Sequence, residues 1–199
     1  MITHHTQLLN YLIERYGLKS YLEIGVQNPA NNFDKINCPY KEGVDPEIKR
    51  RGDLFDMTSD KYFEMIPEYR FFDLIFIDGL HHADQVKRDF ENSLRCLNDN
   101  GFIVIHDTLP DEEQYTTVPR QTKKWFGDVY KFAMTLQWRT DIRFVTLDAD
   151  CGCTVVWKDN SVKGGVKNDT IDWGSYCFFK QMALSIVQPS ELESALPAK

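Results

Sequence analysis

Acidic and imidazole side chains follow the apolar segments of this sequence, where they could do chemistry. Asp78 and His81 come after one apolar run, and His106 and Asp107 come directly after the next one. Carboxylates and imidazoles remove protons from substrates, and together they bind divalent metal ions. These four residues therefore predict an acid–base or metal site.

A second set of residues indicates a nucleoside. Gly25 ends an apolar run that also contains Glu23, and a glycine there lets the backbone approach a ligand closely. Asp45 follows 20 residues later, at the end of the next predicted strand, where a carboxylate can accept hydrogen bonds from both ribose hydroxyls. The structural alternative for Asp45 is a turn residue ahead of Pro46.

The segment after Gly25 argues against a dinucleotide. A pyrophosphate site needs Gly-x-Gly-x-x-Gly, whereas this chain has Gly-Val-Gln-Asn-Pro-Ala at 25–30 and no second glycine before Gly43. S-adenosylmethionine (SAM) has a ribose and a cationic tail but no phosphate, so the acidic strand ends favour SAM as the cofactor.

The spacing of apolar residues predicts the helices and strands that position these residues. Helices are predicted at 8–16, 59–65, 82–97, 119–138 and 173–186, and strands at 21–26, up to 45, 72–77, 101–105, 142–147 and 153–157. Strand and helix alternate, which predicts a Rossmann-like, doubly wound α/β fold whose mostly parallel sheet has helices on both faces. Ligands bind at the carboxyl ends of such strands, so the polar residues should converge there.

Length and composition limit the class of protein. The 199 residues are 42% hydrophobic, which predicts a single domain over 1–199. A net charge of −7 argues against a nucleic-acid partner. The sequence shows no signal peptide and no apolar run of about 20 residues, so we expect a cytoplasmic protein without a membrane partner. Its five scattered cysteines are expected to be reduced.

The motifs at 21–26, 43–46, 58–60, 76–83, 100–107, 125–131 and 148–152 resemble those of class I SAM-dependent methyltransferases. They are most similar to the bacterial and phage-borne methyltransferase-24 type, and the resemblance covers nearly the whole chain. It implies a seven-stranded sheet with an antiparallel C-terminal hairpin. It also implies that Glu23 and Gly25 lie near the methionine part of SAM and Asp45 near the ribose. Asp56 and Asp78, at the ends of the third and fourth strands, complete the expected cofactor contacts.

The resemblance also implies a metal. Some related O-methyltransferases that act on sugars hold a divalent ion with an aspartate and an acidic pair, and use a histidine three residues after that aspartate as a base. Asp78, His81 and Asp107 match this pattern, while His106 replaces one acidic ligand. The expected ligands of Mg²⁺ or Mn²⁺ are therefore Asp78, Asp107 and His106, with His81 and Asp78 as catalytic residues. A histidine ligand favours Mn²⁺ over Mg²⁺.

The predicted function is SAM-dependent methyl transfer to a small polar acceptor, such as a sugar or glycan intermediate. Two alternatives are a metal-dependent hydrolase that uses the His/Asp cluster and a non-catalytic SAM-binding module. A hydrolase leaves Glu23, Gly25 and Asp45 without a purpose. The sequence leaves a homo-oligomer open. His4 and His5 are expected at the surface.

Overall fold

The computed structural model describes residues 2–48, 51–161 and 171–199. Within these ranges, eight strands form one sheet in the order β3-β2-β1-β4-β5-β7-β6-β8. The strands are β1 (Ser20–Ile24), β2 (Tyr40–Val44), β3 (Leu54–Phe55), β4 (Phe72–Ile77), β5 (Leu97–Ile105), β6 (Ile142–Leu147), β7 (Cys153–Lys158) and β8 (Ile186–Val187). Strands β1 to β5 are parallel, and β7 lies antiparallel between β5 and β6. The predicted Rossmann-like fold is confirmed.

Six α-helices accompany the sheet in the described ranges. They are α1 (His5–Tyr16), α2 (Ser59–Met65), α3 (Ala83–Arg95), α4 (Val129–Thr135), α5 (Trp173–Ala183) and α6 (Leu192–Ala195). Helix α1 shows how the pattern works: Leu8, Leu9 and Leu12 share one buried face. The helix ends at Gly17, whose left-handed φ of 67° suits a glycine cap.

Side chains that alternate along β4 build a core on each face of the sheet. Leu74 and Phe76 pack in the cluster that contains the apolar face of α1. Ile75 and Ile77 point to the opposite face and pack with residues of α3 and α4. Because successive side chains of a strand face opposite ways, this central strand is apolar throughout. The sheet is thus covered on both faces, and its strand ends are left to carry polar groups.

The helix predicted over 119–138 is shorter in the structure. Helix α4 covers only Val129–Thr135 and continues as a 3₁₀ turn to Trp138. Gly127, with a φ of 60°, precedes it, and a β-carbon there would overlap the backbone of His81. The following residue, Asp128, accepts a hydrogen bond from the backbone N–H of Ala83 at 2.7 Å. Contacts with the start of α3 therefore fix this segment, and local helical periodicity does not.

An eighth strand replaces the end of the last predicted helix, expected to continue to residue 186. Helix α5 ends at Ala183, and Ser185 takes a φ of 48° that turns the chain. Strand β8 then pairs in parallel with β6, through Thr146 with Ile186. The expectation of seven strands is therefore corrected to eight, because the open edge of β6 supplies hydrogen-bonding partners that a helix pattern does not reveal.

None of the helices in the three described ranges is both long enough and apolar enough to cross a membrane.

Candidate functional site

A cavity of about 660 Å³ opens at the carboxyl ends of β1, β2, β4 and β5. Most of the residues that the sequence singles out line it: Glu23, Gly25, Asp45, Asp78, His81, His106 and Asp107. This position is the one where open α/β sheets bind ligands, because the central strands diverge there into loops on opposite faces. The topology thus brings together residues that are up to 84 positions apart in the chain.

Gly25 allows the ends of β1 and β4 to approach each other. Its φ is 91°, and a β-carbon at this position would overlap the carbonyl oxygen of Asp78. The backbone N–H of Asp78 in turn donates to the carbonyl of Ile24 at 2.9 Å. A side chain at position 25 would separate the two strand ends, so the glycine is a geometric requirement of the cavity floor.

Glu23 lies almost fully buried beneath the cavity. The Tyr21 hydroxyl donates to its Oε2 at 2.6 Å, and Nδ2 of Asn32 donates to the same oxygen at 2.8 Å. Burial raises the pKa of Glu23 to about 8, although these two hydrogen bonds act in the opposite direction. A positively charged ligand in the cavity would favour the ionised form of this carboxyl group.

Asp45 follows β2 and is held by backbone groups of two loops. Its Oδ2 accepts the N–H of Gln27, and its Oδ1 accepts the N–H of Glu47, both at 2.8 Å. Gln27 itself adopts a left-handed φ of 48°, so the loop turns without a second glycine. Each carboxylate oxygen has capacity for a further hydrogen bond, which leaves Asp45 able to accept from a diol.

Asp56 does not line the cavity. It follows β3, but its side chain is exposed, and Ser59 and Asp89 line that end of the cavity instead. Asp89 is 1% exposed, accepts a hydrogen bond from Gln85 at 3.0 Å, and has a pKa raised to about 6 by burial. Asp89 was not among the predicted site residues. The available signal was an acidic residue between Val86 and Phe90 on the apolar stripe of α3.

Asp78, His81 and Asp107 converge at the ends of β4 and β5. Nε2 of His81 lies 3.5 Å from Oδ1 of Asp78, and Nδ1 of His81 lies 3.1 Å from Oδ2 of Asp107. Ligand atoms of all three residues lie within 4.8 Å of one another. The contact of Nδ1 with Asp107 lacks hydrogen-bond geometry, which leaves this buried nitrogen without a partner. Two carboxylates and an imidazole at this spacing are a suitable donor set for a divalent cation.

His106 is engaged at both ring nitrogens. Its Nδ1 lies 3.1 Å from Oδ1 of Asp78, and its Nε2 lies 2.8 Å from the carbonyl oxygen of Asp150. A protonated ring satisfies both acceptors, and such a ring has no lone pair for a metal. The structure therefore groups His81, and not His106, with the two aspartates, while the prediction of His106 as a ligand stays a prediction.

The charges of this cluster depend on one another. Burial lowers the pKa of His106, but Asp78 and Asp150 raise it well above its ordinary value. Burial opposes ionisation of Asp78, yet His106 and His81 hold its pKa below the usual range. Burial raises the pKa of Asp107 to about 6, and His106 partly offsets this increase. His81 has a raised pKa because Asp78 and Asp107 outweigh its burial.

Four further residues of the cavity were not predicted as site residues from the sequence. His5, expected at the surface, lines the cavity and lies with its ring 4.7 Å from that of His106. Asn32, which contacts Glu23, is buried. Arg120 lies at the rim with its guanidinium 5.6 Å from the ring of Trp125, and Trp125 stacks on His81 at 5.1 Å.

Part of this sequence is similar to a known protein family. Residues 14–108 match the family model of a methyltransferase domain. This part of the chain is similar to a methyltransferase domain. The match covers β1 to β5 and the residues of the cavity floor, and the predicted assignment to the SAM-dependent methyltransferases is confirmed. Among curated proteins, none matches the sequence.

Solved methyltransferases share the fold. An O-methyltransferase from Bacillus cereus in complex with SAH is 14% identical, with a TM-score of 0.58 over 78% of this chain and 80% of that chain. The SAH-bound methyltransferase PaMTH1 from Podospora anserina is 18% identical, with a TM-score of 0.56 over 78% of each chain. The MycE methyltransferase of the mycinamycin biosynthetic pathway, in complex with Mg and SAH, is 16% identical, with a TM-score of 0.50 over 86% of this chain and 53% of that chain.

Proposed function

We propose that this methyltransferase transfers the methyl group of SAM to a hydroxyl oxygen of a small polar acceptor, with a sugar or glycan intermediate as the favoured class. One observation carries the proposal. The cluster of Asp78, His81 and Asp107 lines the same cavity as Glu23 and Asp45. The proposed base, His81, and the carboxylate proposed to bind the ribose, Asp45, therefore face the same cavity.

The SAM side of the cavity would be formed by β1 and β2. Asp45 accepts the ribose hydroxyls, and the backbone at Gly25 passes close to the methionine tail. Ionised Glu23 balances the positive charge of the sulfonium and ammonium groups. Asp78 borders this side and the acceptor side. Asp89 and Ser59 line the remaining end of the cavity, where the adenine ring fits between α2 and α3.

The acceptor side would be formed by β4, β5 and Trp125. A sugar hydroxyl has a pKa far above neutrality, so its proton must be removed as the oxygen attacks. His81 accepts this proton, the O–C bond forms as the C–S bond breaks, and S-adenosylhomocysteine leaves. Asp78 and Asp107 stabilise the imidazolium that results. The polar lining supports a hydroxyl-rich acceptor, and the O-methyltransferase from Bacillus cereus with the same fold supports oxygen as the target atom.

A divalent cation fits the carboxylates of this side. Asp78 and Asp107 would hold the ion beside His81, or with His106 as the sequence predicts. When bound, the cation acidifies the acceptor hydroxyl. Without a cation, burial raises the pKa of Asp107, and repulsion by the nearby Asp78 carboxylate raises it further. The Mg in the MycE complex supports a metal for this fold.

The test measures formation of S-adenosylhomocysteine from SAM with a panel of sugar nucleotides and simple catechols. We expect turnover with at least one hydroxyl acceptor and its loss in excess EDTA, with Mn²⁺ restoring activity at least as well as Mg²⁺ if His106 is a ligand. Calorimetry with EDTA present should show that SAM still binds. Full activity in EDTA would overturn the metal, and SAM binding without turnover by any acceptor in the panel would overturn the O-methyl transfer.

A further inference from the structure

A second group of potential metal ligands lies next to the cavity. It consists of His4, His5 and Asp150, whose ligand atoms all lie within 4.8 Å of one another. Nδ1 of His5 is 2.6 Å from Oδ2 of Asp150, and Nδ1 of His4 is 3.9 Å from the same oxygen. His4 and His5 begin α1, whereas Asp150 belongs to the β6–β7 connection, so the group joins two distant parts of the chain.

Helix capping explains only part of this arrangement. Oδ2 of Asp150 accepts the backbone N–H of His5 at 2.7 Å, which is a normal contact at a helix start. Nδ1 of His4 also caps the helix, by accepting the backbone N–H of Thr6 at 3.2 Å, but capping does not require the His5 imidazole beside the Asp150 carboxylate. The side chain of His5 is 13% exposed, and its Nδ1 contacts Oδ2 of Asp150 without the geometry of a hydrogen bond. An imidazole nitrogen and a carboxylate oxygen this close can bind one cation together.

The backbone around Asp150 is also specialised. Asp150 and Cys151 have left-handed φ values of 47° and 66°, a conformation that side-chain-bearing residues rarely adopt. This geometry directs the Asp150 carboxylate towards His5 and its carbonyl oxygen towards His106. Strained conformations of this kind cluster at ligand sites, where the surrounding structure holds them.

We propose that His4, His5 and Asp150 bind a divalent transition-metal ion of the Zn²⁺ class, at a site separate from Asp78, His81 and Asp107. Two imidazoles and one carboxylate are typical ligands of Zn²⁺, Co²⁺ and Ni²⁺. The cavity cluster has two carboxylates and one imidazole, which suits Mg²⁺ or Mn²⁺ better. The two clusters therefore differ in the metal that they select.

Occupancy of this site would connect the start of α1 to the β6–β7 connection. His106 contacts both clusters, since one ring nitrogen faces Asp78 and the other faces the Asp150 carbonyl. An ion bound by residues 145 positions apart binds the folded state only, so it raises the melting temperature. This effect does not depend on methyl transfer.

The test uses full-length protein without a polyhistidine tag, in the Asp107→Asn background that weakens the cavity cluster. Zn²⁺ is titrated by calorimetry, and Co²⁺ is followed by its visible absorption. We expect one Zn²⁺ per chain and an increase in melting temperature. Adding His4→Gln and His5→Gln removes two proposed ligands. Zn²⁺ binding should weaken by at least about 10- to 100-fold, which is the typical loss when a residue that only hydrogen-bonds a metal ligand is replaced.

His82→Gln in the same background is the matched control, because His82 belongs to neither cluster, and it should retain Zn²⁺ binding. If the double histidine variant does not fold, His4→Gln alone serves, since His4 is 47% exposed. Unchanged Zn²⁺ affinity without the histidines, or absence of Zn²⁺ binding in the Asp107→Asn protein, would overturn the proposal. Neither result bears on SAM binding or methyl transfer, which the EDTA experiment tests separately.

Discussion

The two halves of the cavity are built in different ways. On the β1–β2 side, the carboxyl groups of Glu23 and Asp45 are each held by neutral donors: a tyrosine, an asparagine and backbone N–H groups. On the β4–β5 side, Asp78 and Asp107 are held by imidazoles, which can change charge themselves. The first half has a fixed hydrogen-bonding geometry, whereas the second half shares protons among its members.

The two halves should therefore respond differently to substitution. A carboxyl group held by neutral donors can bind a ligand without moving a proton among its neighbours. A network of aspartates and histidines can transfer a proton or accept a metal, but a change in one member alters the others. Substitutions on the β1–β2 side should therefore affect binding of SAM, and substitutions on the β4–β5 side should affect turnover.

The largest effect is expected at the joint between the halves. Gly25→Ala places a β-carbon against the carbonyl of Asp78 at a φ of 91°, and should destabilise the fold by about 3 kcal/mol or more. Gly79→Ala is the matched control, because its β-carbon would lie 3.4 Å from Ile24, an ordinary contact distance. Thermal unfolding measures both. Equal melting temperatures for the two variants would contradict the close approach.

His81→Gln should separate turnover from binding. Because His81 is the proposed base, we expect kcat to decrease by about 10²- to 10⁴-fold, while the affinity for SAM stays close to that of the wild type. His82→Gln removes the neighbouring histidine, which is at the N-cap position of α3 outside the cavity, and should retain activity. Steady-state kinetics and calorimetry distinguish the outcomes. Full activity of the His81 variant would remove the residue from the mechanism.

Asp45→Ala should weaken SAM binding by about tenfold or more, because each lost charge-assisted hydrogen bond contributes roughly 1.5–3 kcal/mol. The variant also frees the N–H groups of Gln27 and Glu47, so a small decrease in melting temperature is expected. Asp56→Ala tests the competing prediction that Asp56 contacts the cofactor. Since Asp56 is exposed outside the cavity, its variant should bind SAM normally, and a comparable loss there would reverse the assignment.

The smallest effect concerns the pH dependence of SAM binding. Glu23 has a pKa of about 8 in the folded protein, so it carries a proton at neutral pH and releases it when a cation binds. The affinity for SAM should therefore increase as the pH rises towards 8, by at most about tenfold per pH unit. Glu23→Gln should reduce this slope in calorimetric titrations. An identical slope in the variant would assign the proton to another group.

The raised pKa of Glu23 makes the stability of the fold decrease as the pH rises, whereas the affinity for SAM increases. A glutamate whose pKa is raised in the folded state binds its proton more tightly there than in the unfolded chain. Its contribution to stability is present below the ordinary glutamate pKa and is lost as the pH rises to about 8. Glu23→Gln should thus raise the melting temperature near pH 8 while it weakens the binding of SAM.

The alternation of strands and helices and the main polar residues of the cavity could be predicted from the sequence. Apolar periodicity identified β1, β4 and β5, and the residues at their ends could be read from position alone, because parallel strands place their carboxyl ends at one edge. Gly25, Asp45, Asp78, His81 and Asp107 all line the cavity for this reason. Each lies directly after a strand, or within a few residues of its end, so local pattern was sufficient.

The residues that join this edge from elsewhere in the chain are placed by tertiary packing. His5 comes from a helix start, Asp89 from the side of α3, and β8 from a segment with a helical pattern. The aspartate that contacts His5 is 145 residues away, and no local periodicity reports such a distance. Periodicity describes which face of an element is buried, whereas these residues are placed by what that face packs against.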